Sequence, residues 1–167
     1  GMPTRAYLHP TIDDTANRVI YHTQGQKLKV ATIAGMKAIN LNPEPPSSPF
    51  DLGVTRPAAP AVGLGAATSG DLEAVALVAT VVNVWGEESA PSNPVLFDRQ
   101  AGQSATYTVT HTATAGQQAI NGINFYRTYP SQQGTTEYFL INSTPAALSG
   151  GTASTTDATD APQTTTT

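Results

Sequence analysis

Hydrophobic residues in this chain come in short patches of strand length rather than in helical repeats. The first forty residues hold three of them, "RAYLH", "RVIYHT" and "LKVATIAGMKAI", parted by polar turns such as "TIDDTAN" and "QGQ". Each patch is about as long as a strand, and although the run from Val30 to Ile39 would also suit a short helix, strands are the preferred reading. The next twenty residues carry Pro43, Pro45, Pro46, Pro49, Pro57 and Pro60. Such a stretch cannot sustain a helix or a central strand, which predicts an extended, partly polyproline-like linker.

Beyond the linker the strand signals become regular. "AVGLGA" leads through a "TSGD" turn into a long run from Glu73 to Trp85, with Val75, Leu77, Ala79 and Val81 on one face and Ala76, Val78, Val82 and Val84 on the other. Apolar residues on both faces of a β-branched run predict a strand near the middle of a layered structure. "PVLF" follows, and in "SATYTVTHTA" Ala105, Tyr107, Val109 and His111 alternate with threonines, as in a half-buried strand. "INGINFYRTY", with Ile123 and Phe125 opposite Tyr126, and "TEYFLIN" complete six strands joined by Gly, Pro, Ser and Asn turns. That spacing predicts an all-β sandwich. The closing "LSGGTASTTDATDAPQTTTT" has too little apolar surface to offset its ordering entropy and is expected to be loose, with a last edge strand around Ala153 to Thr159 as the alternative. The organisation expected is therefore a short β-rich segment or assembly arm at 1–40, a Pro-rich linker at 41–60, a sandwich at 61–148 and a flexible Thr-rich tail at 149–167.

Composition agrees with this pattern. Only 39% of the 167 residues are hydrophobic and 12% charged, so Ser, Thr, Asn, Gln, Gly and Pro fill the remainder, a mixture suited to short strands and many turns. The net charge of −4 is unevenly spread. Up to Pro60 six bases face four acids, whereas the rest holds Arg99 and Arg127 against eight acids. Neither part has the clustered positive field that a phosphate backbone demands, which argues against nucleic acid as a partner. The absence of cysteine excludes disulfides, thiolate metal sites and a cysteine nucleophile. No apolar run approaches a membrane span, and the opening residues lack a signal-peptide pattern. Synthesis in a cytoplasm is expected, with release by a route such as cell lysis.

The candidate chemistry is sparse. Glu87 and Glu88 could be read as a catalytic acid pair, but glycosidase carboxylates face each other across a bond about 5 to 9.5 Å apart, and neighbours leaving a strand diverge. A solvated turn or a salt bridge to Arg127 or Arg99 is the preferred reading. His9, His22 and His111 show no metal-ligand spacing, no serine sits in a nucleophile elbow, and "GLGAAT" lacks the lysine of a phosphate loop, its glycines being better suited to bending a strand. Neither a metal, a cofactor nor catalysis is expected. Asn142-Ser143-Thr144 has the form of a glycosylation sequon but no signal peptide to give it meaning. Tyr126, Tyr129, Tyr138 and Phe139 come from adjacent strand signals and could line a ligand face, with core packing the simpler explanation. Glu87, Glu88, Tyr126 and Tyr129 form the candidate interaction surface.

The apolar strand running into "WGEESAPSNP" resembles the hairpin of fibronectin type III domains. More specifically, the order "FDLGVTRPAAP", "VALVATVVNVWGEESAPS", "YTVTHTA", "INGINFYRT", "EYFLIN" is similar to a recurrent module of tailed-phage and prophage structural proteins, with "WGEES" and "FYRT" the most specific parts. The resemblance runs from about Phe50 to Asn142. It implies an immunoglobulin/fibronectin III-like sandwich in a virion, tail-associated and non-enzymatic, assembling with other virion subunits or with copies of itself. A glycan-binding or adhesive module that contacts a bacterial envelope is the alternative. One departure stands out: in fibronectin domains this hairpin closes the domain, whereas here at least three strand signals follow it, so either the strand order is permuted or the resemblance is local.

Overall fold

The alternation read from the sequence is realised as strands: in the computed structural model, which describes residues 4–8, 18–23, 28–32, 49–129 and 137–158, every regular element is β. These residues divide between two units, one of residues 1–53 with 114–118 and one of 54–113 with 119–167.

In the first unit β1 (Thr4–Leu8), β2 (Arg18–Thr23), β3 (Lys29–Thr32) and β4 (Phe50–Asp51) pair antiparallel in chain order. Val19, Tyr21, Val30 and Ala31 are its buried apolar side chains among the described residues. Phe50 and Asp51 fall inside the stretch expected to be linker. They follow Pro49, the last of a proline cluster, so the chain is free of proline where it pairs with β3, and Asp51 also forms an ion pair with Lys29. The Asp51 N–H donates to the Gly116 carbonyl at 2.6 Å.

The second unit contains β5 (Ala61–Leu64), β6 (Leu72–Asn83), β7 (Val95–Gln100), β8 (Ala105–Thr110), β9 (Ile120–Thr128), β10 (Tyr138–Leu140) and β11 (Thr152–Asp157). They form a four-stranded antiparallel sheet ordered β10-β9-β6-β7 and a three-stranded one ordered β11-β8-β5. Leu77, Ala79 and Val81 of β6, Ile123 and Phe125 of β9, Ala105, Tyr107 and Val109 of β8 and Ala153 of β11 make one core between them, the arrangement of a β-sandwich. Each comes from every second position of its strand, as a period of two requires. At "GLG" the second glycine, Gly65, lies where an added Cβ would come within 2.2 Å of Ser104 Oγ.

Thr152–Asp157 lies within the stretch expected to be loose and takes the alternative named for it, an edge strand, paired with β8. Hydrophobic content is a poor guide here, because one alanine and one carboxylate anchor it. Ala153 enters the core, and Asp157, 4% exposed, receives the Arg127 Nε–H at 2.5 Å, the Tyr107 hydroxyl at 3.2 Å and an Arg99 guanidinium N–H at 3.3 Å. Arg99 and Arg127 are 1% and 0% exposed. A salt bridge from these arginines to Glu87 or Glu88 was one of the two expectations for the acid pair, the other being a solvated turn. The arginines sit instead on inward-facing positions of β7 and β9, beside Asp157, and desolvation together with the Asp157 charge holds the Tyr107 phenol well above its ordinary pKa.

The segment "WGEESAPS" explains how β6 can be twelve residues long beside a six-residue β7. After a turn at Gly86, whose φ of 77° suits glycine, the chain runs back along the second half of β6. Ser89 donates its N–H to the Val81 carbonyl at 2.9 Å and its Oγ accepts the Val81 N–H at 2.9 Å. Ser92 repeats the pattern with Ala79, at 2.8 and 3.0 Å. Two serine hydroxyls thus take the place of backbone carbonyls in the ladder, and proline can stand between them at Pro91 because that position need not donate. Both serines are buried, so removing a hydroxyl strands a β6 N–H. Ser89→Ala or Ser92→Ala is expected to lower unfolding free energy by about 1–3 kcal/mol in urea titrations, while the exposed Ser143→Ala changes it by less than about 0.5 kcal/mol.

Candidate functional site

The outward face of the four-stranded sheet is where the candidate residues are found. Every second residue of β6 points there, and the register sets Ala74 opposite Asp98, Ala76 opposite Leu96, Val78 opposite Tyr126 and Thr80 opposite Asn124. Tyr126 is flanked in turn by Leu140, and Thr128 by Tyr138. The returning segment adds Glu88, bridged to Val82, and Pro91. Val78, Thr80, Glu88, Pro91, Tyr126 and Tyr138 line a shallow groove of ≈ 380 Å³. This is why β6 is apolar on both faces: Val78, 8% exposed, forms the floor of the groove while Leu77 and Ala79 face the core.

Glu88 is the polar centre of the groove. Its Oε1 accepts the Tyr126 hydroxyl at 2.7 Å, the Asn124 Nδ2–H at 3.2 Å and the Thr80 hydroxyl. None of the hydrogen bonds between described residues uses Oε2. Burial, reinforced by the hydrogen bond to Glu88 and by its charge, pushes the Tyr126 phenol up to about 12 from its ordinary 10.0. Three donors on one oxygen fix the carboxylate as an acceptor, on a residue that is itself exposed.

The four candidate residues separate into two groups. Glu88 and Tyr126 meet directly. Glu87 instead accepts the Asn83 Nδ2–H at 2.7 Å, and Asn83 Oδ1 accepts the N–H groups of Trp85 and Glu87, both at 2.9 Å, so this acid closes the turn. Tyr129 lies past the end of β9, its ring edge-on to Phe139 with centroids 4.9 Å apart. It does not line the groove. Sequence reasoning missed Thr80, Asn124 and Pro91. The spacing of Asn124 and Tyr126 places them on one face, but only strand register shows that Thr80 and Glu88 join them.

The remaining sequence candidates carry no site. Asp98 is exposed on the outward face of β7, whereas His111 is buried at the end of β8 on the other sheet, where desolvation lowers its pKa. His9, Asp13 and Asp14 lie outside the described residues, as does the side chain of His22. Among the described residues no three His, Asp or Glu side chains gather in a way that could hold a metal ion. Asn142 of the sequon uses its amide internally. It accepts the Phe125 N–H at 2.8 Å and donates to the carbonyls of Ile123 at 3.0 Å and Thr144 at 2.7 Å, tying the chain after β10 to β9.

Compared with known family models, curated proteins and solved structures, the chain matches none.

The bond between Tyr126 and Glu88 has a spectroscopic consequence. The neutral phenol is the form the fold favours, so stability from this site is complete below about pH 10 and is lost as pH rises through about 12. Ultraviolet titration of the tyrosines should show one group ionising near 12, and Glu88→Gln should shift that transition downward while leaving it above 10.0, because burial remains.

Proposed function

We propose that the chain is a non-enzymatic structural module of a phage or prophage virion, tail-associated, that acts through protein–protein assembly. The observation that carries the assembly reading is the apolar outward face of the four-stranded sheet. Leu72 is 68% and Leu96 79% exposed there, continuous in register with Ala74, Ala76 and the Val78–Tyr126 groove. A contiguous apolar patch on a sheet face is a feature of interaction surfaces, and the aromatic residues beside it belong to the usual composition of an interface.

The virion assignment is supported by the resemblance of "WGEES" and "FYRT" to the phage module. Both segments have defined work in the fold: the first forms the serine ladder, and the second supplies Phe125 to the core, Tyr126 to the groove and Arg127 to Asp157. The strand order also supports a fibronectin III-like domain in permuted form. If the β6–β7 hairpin is moved from second place to last, the strands run β5, β8, β9, β10, β11, β6, β7. Lettered in that order as A, B, C, C′, E, F and G, strands A, B and E share one sheet and C, F and G the other, the division found in immunoglobulin-type sandwiches. The protein is made in the host bacterial cytoplasm and resides in the virion, with other subunits or its own copies as partners.

Antibody against this chain, used in immunogold microscopy of a producing culture after prophage induction, tests the assignment. Gold on particles or tails is the expected result. Gold confined to the cell surface, with clean particles, would overturn it and favour the glycan-binding alternative, for which Tyr126 and Tyr138 beside Glu88 are the relevant surface.

A further inference from the structure

We propose that the groove centred on Glu88 receives a lysine or arginine side chain presented by a partner protein. The inference rests on reading this face as an assembly surface and adds the chemistry of what docks there.

Three observations converge on a cation. First, Glu88 offers a fixed acceptor: Thr80, Asn124 and Tyr126 all donate to Oε1, which orients the carboxylate and leaves Oε2 available. An acceptor ordered beforehand loses less freedom on binding than a mobile surface acid. Glu88 takes part in none of the ion pairs between described residues, so no cation of the domain competes for it. Second, the walls suit the rest of such a side chain. Val78 and Pro91 are apolar and Tyr138 presents a ring that is 40% exposed, surfaces that accommodate a methylene stem and the face of a cation. Third, the charge of the second unit is complementary. Of its bases, Arg99 and Arg127 are fully buried around Asp157, leaving Arg56 exposed against Asp71, Glu88, Asp98 and Glu137. A basic partner is drawn towards this surface, and an acidic one is repelled.

A sugar fits the site less well. Of the two tyrosines that line the groove only Tyr138 has an exposed ring to stack on a sugar, whereas Tyr126 is half-buried and its hydroxyl is already bound to Glu88.

The test is an NMR titration of the full chain with acetylated, amidated pentapeptides carrying one central lysine, arginine or norleucine, and separately with N-acetylglucosamine. Saturable shifts of the Glu88, Tyr126 and Tyr138 amides are expected with the lysine or the arginine peptide, weakened by salt and about tenfold weaker with norleucine, the loss expected for one charge-assisted hydrogen bond. Glu88→Gln should weaken the cationic peptide by a similar factor. Glu87→Gln, altered in the neighbouring turn, should leave binding unchanged. Equal binding of norleucine, insensitivity to Glu88→Gln, shifts with the sugar alone, or no saturable shift with either cationic peptide would each overturn the proposal. The immunogold result is independent of it: labelled particles without cation binding would remove only the docking chemistry, and cation binding without labelled particles would remove only the virion assignment.

Discussion

Two guanidinium groups and a phenol converge on one buried carboxylate, Asp157, and the closure of the sandwich depends on that contact. Arg99 and Arg127 come from the four-stranded sheet, Tyr107 and Asp157 from the three-stranded one. Apolar packing between the sheets is undirected and would tolerate sliding. The ionic cluster is directional, because a charge withdrawn from water must meet its partner in good geometry or remain strongly unfavourable. It therefore fixes the position of β11 on β8, and it does so with a strand that contributes only Ala153 to the core.

The outward face follows from the same arrangement. With Phe125 directed into the core and Arg127 towards Asp157, β9 must turn Asn124 and Tyr126 to the opposite side, where β6 presents Val78 and Thr80. The serine ladder then lays Glu88 against them. Core, ion cluster and groove are three results of one strand register, and a slip of a single residue would exchange their faces.

Much of the architecture was legible in period-two patterns. Ala105, Tyr107 and Val109 face the core as their alternation requires, and the two-faced apolar run of β6 has the central place it implies. What composition obscured was ordering by a few polar atoms. The threonine-rich end carried no hydrophobic signal, yet Asp157 secures it, and no local pattern announces that an aspartate will pair with arginines 30 and 58 residues earlier. The acid pair was similarly opaque. Glu87 and Glu88 are equivalent in the sequence, and only the direction in which the chain leaves the Gly86 turn assigns one to the turn and the other to the groove.

The most direct measurement of the central claim is the unfolding free energy of Asp157→Asn in denaturant at neutral pH. The substitution keeps the shape and leaves two buried guanidiniums without their carboxylate, so the account predicts a loss of about 3–5 kcal/mol, the cost of breaking a buried pair from one side. A variant as stable as its parent to within about 0.5 kcal/mol, the range of an ordinary surface change, would show that the sandwich closes without this contact and would contradict the account.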